Sequence, residues 1–488
     1  MSRARAPAAD PSAAATFWVC TGITAVAAGL RTVPAFGDLW LDEVWTWVSV
    51  QRLHSAWGIF EQIHHSNNNH LNSLVFYWLR DAAHPVVYRL PALLAGIASV
   101  PLACLLAGRH GRLEAIVAGV LTGACYALVH FSSEARGYAP AVFFALASAL
   151  LVDGNTLLRT RPLRVLAFHA CVILGFLSHL VFLFFLAGLI AQLAWRAVHT
   201  PPPRAPMLRR FGILFVPPLL ALLALYWVDL RFLRVGGGDA TPLSWWASRS
   251  VAFALGLSAR PELAAVNSAL AAAGMVLGLR LSRRSGDDDW VLMSVAIVLA
   301  PALILAAMRP DVIAVRYFLI GIALYLILTS RVLAAGIRAG GWRRAIALGC
   351  MGVFLVGNAI HIAPFLRLGR GGYAEALHFI ADASEAPTFT VTSDHDFRTG
   401  MVLRFYARNL PESKRMIYQE RANRPRAGSE WLIVHAGERP DPPRAFLRDG
   451  NGNRYRFARG FDHAAISGFW WGVYRLEPTD TGASAPSR

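Results

Sequence analysis

Long apolar runs separated by short polar segments dominate the hydropathy pattern of this chain. Eleven runs reach or approach the roughly 20 residues that a helix needs to cross a membrane. They cover residues 14–31, 85–107, 113–130, 137–152, 163–178, 180–197, 211–229, 263–281, 289–307, 315–337 and 342–360. Residues 71–82 are apolar but too short to span, which indicates an interfacial or re-entrant helix or half of an extra hairpin. The pattern predicts a polytopic α-helical membrane protein with about 11 to 13 transmembrane helices.

Arginines are concentrated in one set of the predicted loops. Positive charge in short loops stays in the cytoplasm, so this set predicts a cytoplasmic N-terminus. It comprises Arg3, Arg5, Arg109, Arg112, Arg159, Arg161, Arg164, Arg204, Arg209, Arg210, Arg283, Arg284, Arg343 and Arg344. An odd number of crossings then places the loops around Asp42, Glu134 and Arg316 on the outer face. The C-terminal part is then predicted to lie outside the cytoplasm.

The pattern changes after residue 360, where short alternating segments replace the long runs. Residues 373–380 have helical spacing, and residues 388–393, 431–434 and 468–475 have the pattern of strands. We therefore predict a transmembrane module at residues 1–360, with an outer-face loop at 32–84, and a small extracytoplasmic α/β domain at 361–478. Residues 479–488 are predicted to be a disordered tail.

Composition agrees with a membrane protein and narrows the class of partners. Hydrophobic residues make up 55% of the chain and charged residues 16%. The net charge of +17 comes from arginines spread along the chain without a basic stripe or a nucleic-acid-binding motif, which argues against a nucleic-acid partner. The five cysteines lie inside predicted spans without the CxxC spacing of a zinc or redox site, which is typical of small core residues.

The acidic pair Asp42 and Glu43 follows the first apolar run and is surrounded by tryptophans, which favour the membrane interface. A carboxylate at such a boundary can accept a proton from an acceptor hydroxyl. The alternatives are a solvated loop acid or a charge in the first turn of a helix.

A polar loop at residues 64–72 carries three histidines and precedes the short apolar stretch. His70, together with Asp42 and Glu43, could bind a divalent cation, or the loop could hydrogen-bond a sugar. The alternative is an ordinary loop in which Asn69 or Asn72 caps the following helix.

Two further groups of charged residues occur at predicted outer helix ends. Glu134 and Arg136 would be costly if they faced lipid, so they are expected to face a wet cavity or to form a salt bridge between helices. Arg316, followed by Tyr317, can bind a phosphate in bidentate fashion. Arg309 fits an interface anchor better.

The order of these motifs resembles that of the GT-C superfamily of polytopic glycosyltransferases. The motifs are Asp42-Glu43, His70 before Tyr77-Trp78-Leu79, Arg89-Leu90-Pro91, Glu134-Ala135-Arg136-Gly137-Tyr138, Ser178-His179 and Arg316-Tyr317. Within the superfamily, the likeness is to bacterial members related to protein O-mannosyltransferases and to aminoarabinose or galacturonic acid transferases of lipid A. Relatives commonly carry His-Pro-Pro-Leu where this chain has His70-Leu71-Asn72-Ser73, so the resemblance does not define this loop or a metal there.

The resemblance implies an inverting glycosyltransferase of the bacterial cytoplasmic (inner) membrane that moves a sugar from a polyprenyl-phosphate donor to a lipid, glycan or protein acceptor of the envelope. It implies Asp42 and Glu43 as catalytic residues, with Asp42 as the acid or base. The implied substrate-binding residues are His70, Glu134, Arg136, Tyr138, His179, Arg316 and Tyr317, of which Arg136 and Arg316 would hold the lipid phosphate. A capped interhelical histidine is the alternative for His179. No cofactor is implied beyond the divalent cation considered above.

Two other functions fit a polytopic chain with charged residues. A transporter or flippase of lipid-linked sugars would carry internal repeats and broken helices at the midplane, and we find no repeat in the sequence. A non-catalytic envelope scaffold would leave Asp42, Arg136 and Arg316 far apart and individually exposed.

Overall fold

The computed structural model describes residues 11–82, 84–152, 161–199, 204–234, 242–309, 313–464 and 466–477. The predicted tail at 479–488 and the arginines Arg3, Arg5 and Arg159 lie outside these residues. The chain divides into two compact units, and the division does not follow chain order. The first, which we call the helical unit, contains residues 1–35 and Ser49–Ala363. The second, which we call the sheet unit, contains Phe36–Val48 and Pro364–Arg488.

Each of the eleven predicted apolar runs coincides with one helix or with consecutive helices. The first nine helices are Pro11–Ala35 (α1), Leu41–Gln51 (α2), Gly58–Glu61 (α3), His70–Trp78 (α4), Pro85–Gly108 (α5), Arg112–Ala124 (α6), Tyr126–Ser132 (α7), Tyr138–Leu151 (α8) and Pro162–Ser178 (α9). The next eight are Phe182–His199 (α10), Arg204–Val228 (α11), Leu243–Leu255 (α12), Ala264–Arg284 (α13), Asp289–Ser294 (α14), Ala300–Met308 (α15), Leu319–Ala339 (α16) and Gly341–Leu368 (α17).

Helix length confirms a multi-pass α-helical membrane protein. Among the described residues, eight helices are long and apolar enough to cross a membrane, or nine if the bent pair α6 and α7 forms one span. Helices α8 and α9 are apolar but shorter. Helix α4, which contains the apolar stretch after His70, has only nine residues and is too short to span. The exact number of crossings stays a prediction.

A bend between α6 and α7 interrupts the apolar run predicted as one span at 113–130. The two helices meet at an angle of 60°. The Arg31 guanidinium, buried in the helical unit, donates to the carbonyls of Thr122 and Gly123 at 2.9 Å each. The amide of Tyr126 donates to Oδ1 of Asn358 at 2.6 Å. Polar side chains from α1 and α17 therefore satisfy backbone groups that a continuous helix would have paired internally.

Replacing Arg31 with methionine is expected to lower the free energy of unfolding by about 2–4 kcal/mol, because two buried carbonyls lose their donors. Thermal or denaturant unfolding of the detergent-solubilised protein measures the change. The matched control is Arg280→Met, because Arg280 is exposed in α13. Equal stability of the two variants would mean that Arg31 does not hold the bend.

The sheet unit contains one six-stranded mixed sheet in the order β2-β1-β3-β6-β5-β4. The strands are Thr388–Ser393 (β1), Arg415–Tyr418 (β2), Trp431–Ala436 (β3), Phe446–Arg448 (β4), Arg454–Phe461 (β5) and Trp470–Leu476 (β6). Strand β1 lies parallel to β2 and β3, and β3, β6, β5 and β4 pair antiparallel in turn. The helices Tyr373–Ala383 (α18) and Met401–Tyr406 (α19) accompany the sheet.

The predicted helix and the three predicted strands of this unit are confirmed as α18, β1, β3 and β6. Strands β2, β4 and β5 were missed. Strand β5 begins Arg454-Tyr455-Arg456, in which Tyr455 is buried between exposed arginines. Tyr455 packs with Leu432 and Tyr474 in the core. The start of β5 does alternate between charged and apolar residues, but the charged arginines make a strand hard to recognise from the sequence alone.

Candidate active site

Asp42 and Glu43 lie in the first turn of α2, within the sheet unit. Glu43 is fully buried, and its Oε2 accepts a hydrogen bond from the backbone N–H of Trp40 at 3.1 Å. This is the half of a capping box in which an N3 glutamate satisfies the N-cap amide. The interpretation as a first-turn helix charge is therefore confirmed for both residues, and Glu43 has a defined structural partner. Asp42 is 8% exposed.

The segment from Glu134 to Tyr138 links α7 to α8 inside the helical unit. Glu134 and Arg136 are both buried, and Oε2 of Glu134 lies 3.7 Å from Nε2 of His130. The Arg136 guanidinium donates to the backbone carbonyl of Asn67 at 3.3 Å and also to its side-chain oxygen. The expectation that these charges face inward rather than towards lipid is met.

Three asparagines of the loop at 64–72 bind this same segment. Besides the contact of Asn67, Oδ1 of Asn69 accepts from the backbone N–H of Gly137 at 3.1 Å, and Asn72 donates to the carbonyl of Ala135 at 2.7 Å. Asn69 does occupy the N-cap position of α4, but its side chain makes no capping hydrogen bond. The predicted capping role is therefore wrong, because the asparagine side chains satisfy another loop instead.

His70 is buried and hydrogen-bonded to a carboxylate that sequence reasoning missed. Its Nε2 lies 2.5 Å from Oδ2 of Asp229, and Nδ1 of His64 lies 2.6 Å from Oδ1 of the same residue. The ring of Phe60 stacks on His70 with a centroid distance of 5.1 Å. Asp229 follows α11 directly. An isolated acid at the end of an apolar run was the signal that could have indicated it.

The hypothesis of a cation at Asp42, Glu43 and His70 stays a prediction. Of the atoms that could bind it, Nε2 of His70 is engaged by Asp229, and one oxygen of Glu43 is engaged by the backbone N–H of Trp40.

A second acidic group lies at other helix ends of the helical unit. Nε2 of His110 lies 3.4 Å from Asp287 and 3.5 Å from Asp289, a geometry that could hold a cation. Arg331 already donates to Asp287 at 2.7 Å, and Arg196 pairs with the neighbouring Asp288. We interpret this group as an ion-pair network between helices.

Five predicted residues from three distant segments converge within the helical unit. The Tyr138 ring lies at the centre, with the Arg136 guanidinium 5.6 Å and the Arg316 guanidinium 6.0 Å from its centroid. The ring centroids of His179 and Tyr138 are 4.4 Å apart. Tyr317 lies 6.0 Å from His179, centroid to centroid. We call Arg136, Tyr138, His179, Arg316 and Tyr317 the arginine–tyrosine cluster.

The arginine–tyrosine cluster has the chemistry of an anion-binding site. Both guanidinium groups lie within electrostatic range of His179, whose Nδ1 accepts from the backbone N–H of Val181 at 3.1 Å. With Nδ1 occupied as an acceptor, the proton of the neutral ring is on Nε2. Two guanidinium groups, two tyrosines and an imidazole N–H therefore gather donors suited to a phosphate.

Comparison with known proteins defines the fold. No protein-family model and no curated protein sequence matches the chain. Among solved structures, it is similar to ArnT from Cupriavidus metallidurans in the apo state, with a TM-score of 0.51, 13% identity, and coverage of 94% of this chain and 98% of that chain. For the same ArnT bound to undecaprenyl phosphate, the TM-score is 0.49 at 14% identity, covering 96% and 99%.

The archaeal oligosaccharyltransferase AglB from Archaeoglobus fulgidus, in complex with an inhibitory peptide and a dolichol-phosphate, is also similar. Its TM-score is 0.46 at 11% identity, covering 86% of this chain and 69% of that chain. The likeness to apo ArnT shows the fold of this chain, which combines a set of long apolar helices with a C-terminal six-stranded sheet.

Proposed function

We propose that this protein is a glycosyltransferase that moves a sugar from a polyprenyl-phosphate donor to an acceptor of the cell envelope. The observation that carries the proposal is the arginine–tyrosine cluster, in which Arg136 and Arg316 approach one tyrosine from separate segments of the chain. A GT-C fold with two guanidinium groups beside a tyrosine suits a lipid-linked phosphate. A scaffold would have no need to bring the buried Arg136 and the half-buried Arg316 together, because charges are costly away from water.

The reaction is a single displacement at the anomeric carbon of the donor sugar. Asp42 takes the proton of the acceptor hydroxyl as its oxygen forms a bond to that carbon. The bond from the carbon to the polyprenyl phosphate breaks, and the phosphate keeps the bonding electrons. Arg136 and Arg316 stabilise the negative charge of the departing phosphate. Attack opposite the leaving group inverts the anomeric configuration.

The remaining predicted residues have supporting roles in this proposal. Glu134 and His70 line the sugar or acceptor site, while Glu43 holds the first turn of α2 through its bond to Trp40. The positive-inside pattern supports placing the cluster on the outer face of a bacterial inner membrane. The donor is then taken from the outer leaflet.

The direct test is release of undecaprenyl phosphate from a panel of undecaprenyl-phosphate-linked sugars. The purified full-length chain is reconstituted in nanodiscs with envelope extract as the source of acceptors, and mass spectrometry detects the released lipid and the glycosylated acceptor. Release coupled to a glycosylated product is expected for at least one sugar. In proteoliposomes, transfer of intact donor across the bilayer without release would contradict the proposal and indicate a flippase.

The arginines of the cluster are expected to govern binding of the lipid phosphate itself. Replacing Arg136 or Arg316 with glutamine should weaken binding of undecaprenyl phosphate by about 10- to 100-fold, because a hydrogen bond to a charged group contributes about 1.5–3 kcal/mol. Native mass spectrometry or a thermal-shift titration measures the affinity. Arg343→Gln is the control, since Arg343 is exposed on α17. Unchanged affinity in both cluster variants would place the phosphate elsewhere.

A further inference from the structure

The segment that carries Asp42 is built into the sheet unit, although more than 300 residues of chain separate it from the rest of that unit. Two hydrogen bonds hold the residues just before α2. The Tyr406 hydroxyl, buried at the end of α19, donates to the backbone carbonyl of Leu39 at 3.0 Å. Oδ2 of Asp38 accepts from the backbone N–H of Ala374, in the first turn of α18, at 2.8 Å.

Aromatic contacts continue this attachment along α2. Trp45 meets Phe397 edge to face with ring centroids 5.0 Å apart, and Trp47 meets Phe405 in the same way at 5.2 Å. The Arg408 guanidinium lies 4.3 Å from the centroid of Trp47. Helix α2 is therefore held both before its first turn and along its length by the segment that follows β1.

We propose that Tyr406 is a positioning residue for Asp42, so that the sheet unit sets where the proposed base stands. This inference rests on the proposed function. Leu39 is three residues before Asp42, within one helical turn, so its carbonyl bond fixes the start of the helix on which the carboxylate is mounted. A displacement of about 1 Å in a reacting group can lower a rate by about 10²-fold. The role of the sheet unit is then to hold part of the catalytic machinery in place.

The test compares Tyr406→Phe with Tyr455→Phe in the full-length protein. Tyr455 is a matched control because its buried hydroxyl also bonds the backbone, accepting from Ser429 N–H at 3.0 Å in the same unit. We expect Tyr406→Phe to lower kcat for undecaprenyl phosphate release by about 10- to 100-fold, with the donor KM and the affinity for undecaprenyl phosphate unchanged. Tyr455→Phe should keep kcat within about twofold, with a similar shift in unfolding temperature.

Asp38 supplies a second pair of variants if the tyrosine variant does not fold. Asp38→Ala removes the acceptor for Ala374 N–H and should lower kcat, whereas Asp38→Asn retains an oxygen acceptor and should restore it to within about threefold. In an Asp42→Asn background, Tyr406→Phe should cause no further loss, because the group that it positions is gone.

The outcomes separate this inference from the proposed function. If Asp42→Asn abolishes transfer while Tyr406→Phe and Asp38→Ala both keep normal kcat, the positioning role is wrong and the proposed reaction stands. An equal loss of kcat in Tyr406→Phe and Tyr455→Phe would also contradict the positioning role, because the effect would then be general instability of the sheet unit. If Asp42→Asn transfers sugar normally, the proposed base itself is wrong.

Discussion

Asparagine in place of Asp42 is expected to slow sugar transfer by about 10²- to 10⁴-fold, the range that a positioned general base contributes. An amide of nearly the same shape cannot accept the proton of the acceptor hydroxyl, so the chemical step slows. The affinity for undecaprenyl phosphate should stay unchanged, because the proposed phosphate donors belong to Arg136 and Arg316. Steady-state release of undecaprenyl phosphate and a separate lipid-binding titration give the two quantities.

Two acids serve as controls for Asp42. Glu412→Gln changes an exposed acid of the same unit and should leave transfer unaltered. Glu43→Gln keeps an oxygen that can accept from Trp40 N–H, so it should cost far less activity than Asp42→Asn. Undiminished transfer by folded Asp42→Asn would remove the assigned role. A loss of sugar transfer in Glu43→Gln alone would assign the role of general base to Glu43 instead of Asp42.

Alanine at position 137 is expected to disrupt the arginine–tyrosine cluster from within. A Cβ at Gly137 would lie 1.7 Å from the backbone oxygen of Ser178 and 2.8 Å from Oδ1 of Asn69. A side chain could rotate away from the new Cβ, but the backbone of Ser178 cannot. The Arg136–Tyr138 segment or the end of α9 must therefore move. We expect the free energy of unfolding to fall by about 2–4 kcal/mol from overpacking and the lost Asn69 bond. Affinity for undecaprenyl phosphate should fall by about 10- to 100-fold.

Gly29→Ala is the matched control for this substitution. A Cβ at Gly29 would meet no atom within 4 Å, and the residue lies inside α1, where alanine is the better helix former. Its stability and lipid affinity should equal or slightly exceed those of the parent. Circular dichroism melting and the same lipid titration compare the two variants. Normal stability and binding in Gly137→Ala would show that the close approach to Ser178 is not needed.

The helices and much of the sheet unit were predictable because their signals are local. A long apolar run indicates a buried or lipid-facing helix by its own residues alone. Strands β1, β3 and β6 are apolar enough to be recognised in the same way. The missed strand β5 shows the limit. Its arginines face solvent on alternate positions, and only the pairing with β6 and β4 establishes it as a strand.

The members of the arginine–tyrosine cluster were predicted individually, from charge and aromatic residues at helix ends and from the order of motifs. The expectation that they share one face of the membrane followed from counting spans. Their convergence around Tyr138 could not be calculated, because it depends on how α8, α10 and α16 pack. His179, for which a plain structural role was an open alternative, contacts both tyrosines of the cluster.

The sequence by itself determined a polytopic helical protein, a small α/β part after residue 360, and the candidate residues for phosphate and proton chemistry. Only the tertiary structure decided that α6 and α7 bend around Arg31, that Asp229 joins His64 and His70, and that Asp42 belongs to the sheet unit. The physical reason is the separation along the chain of the residues that determine each feature. Hydropathy is a property of neighbours along the chain, whereas a buried polar group is defined by a partner that the fold brings from far away.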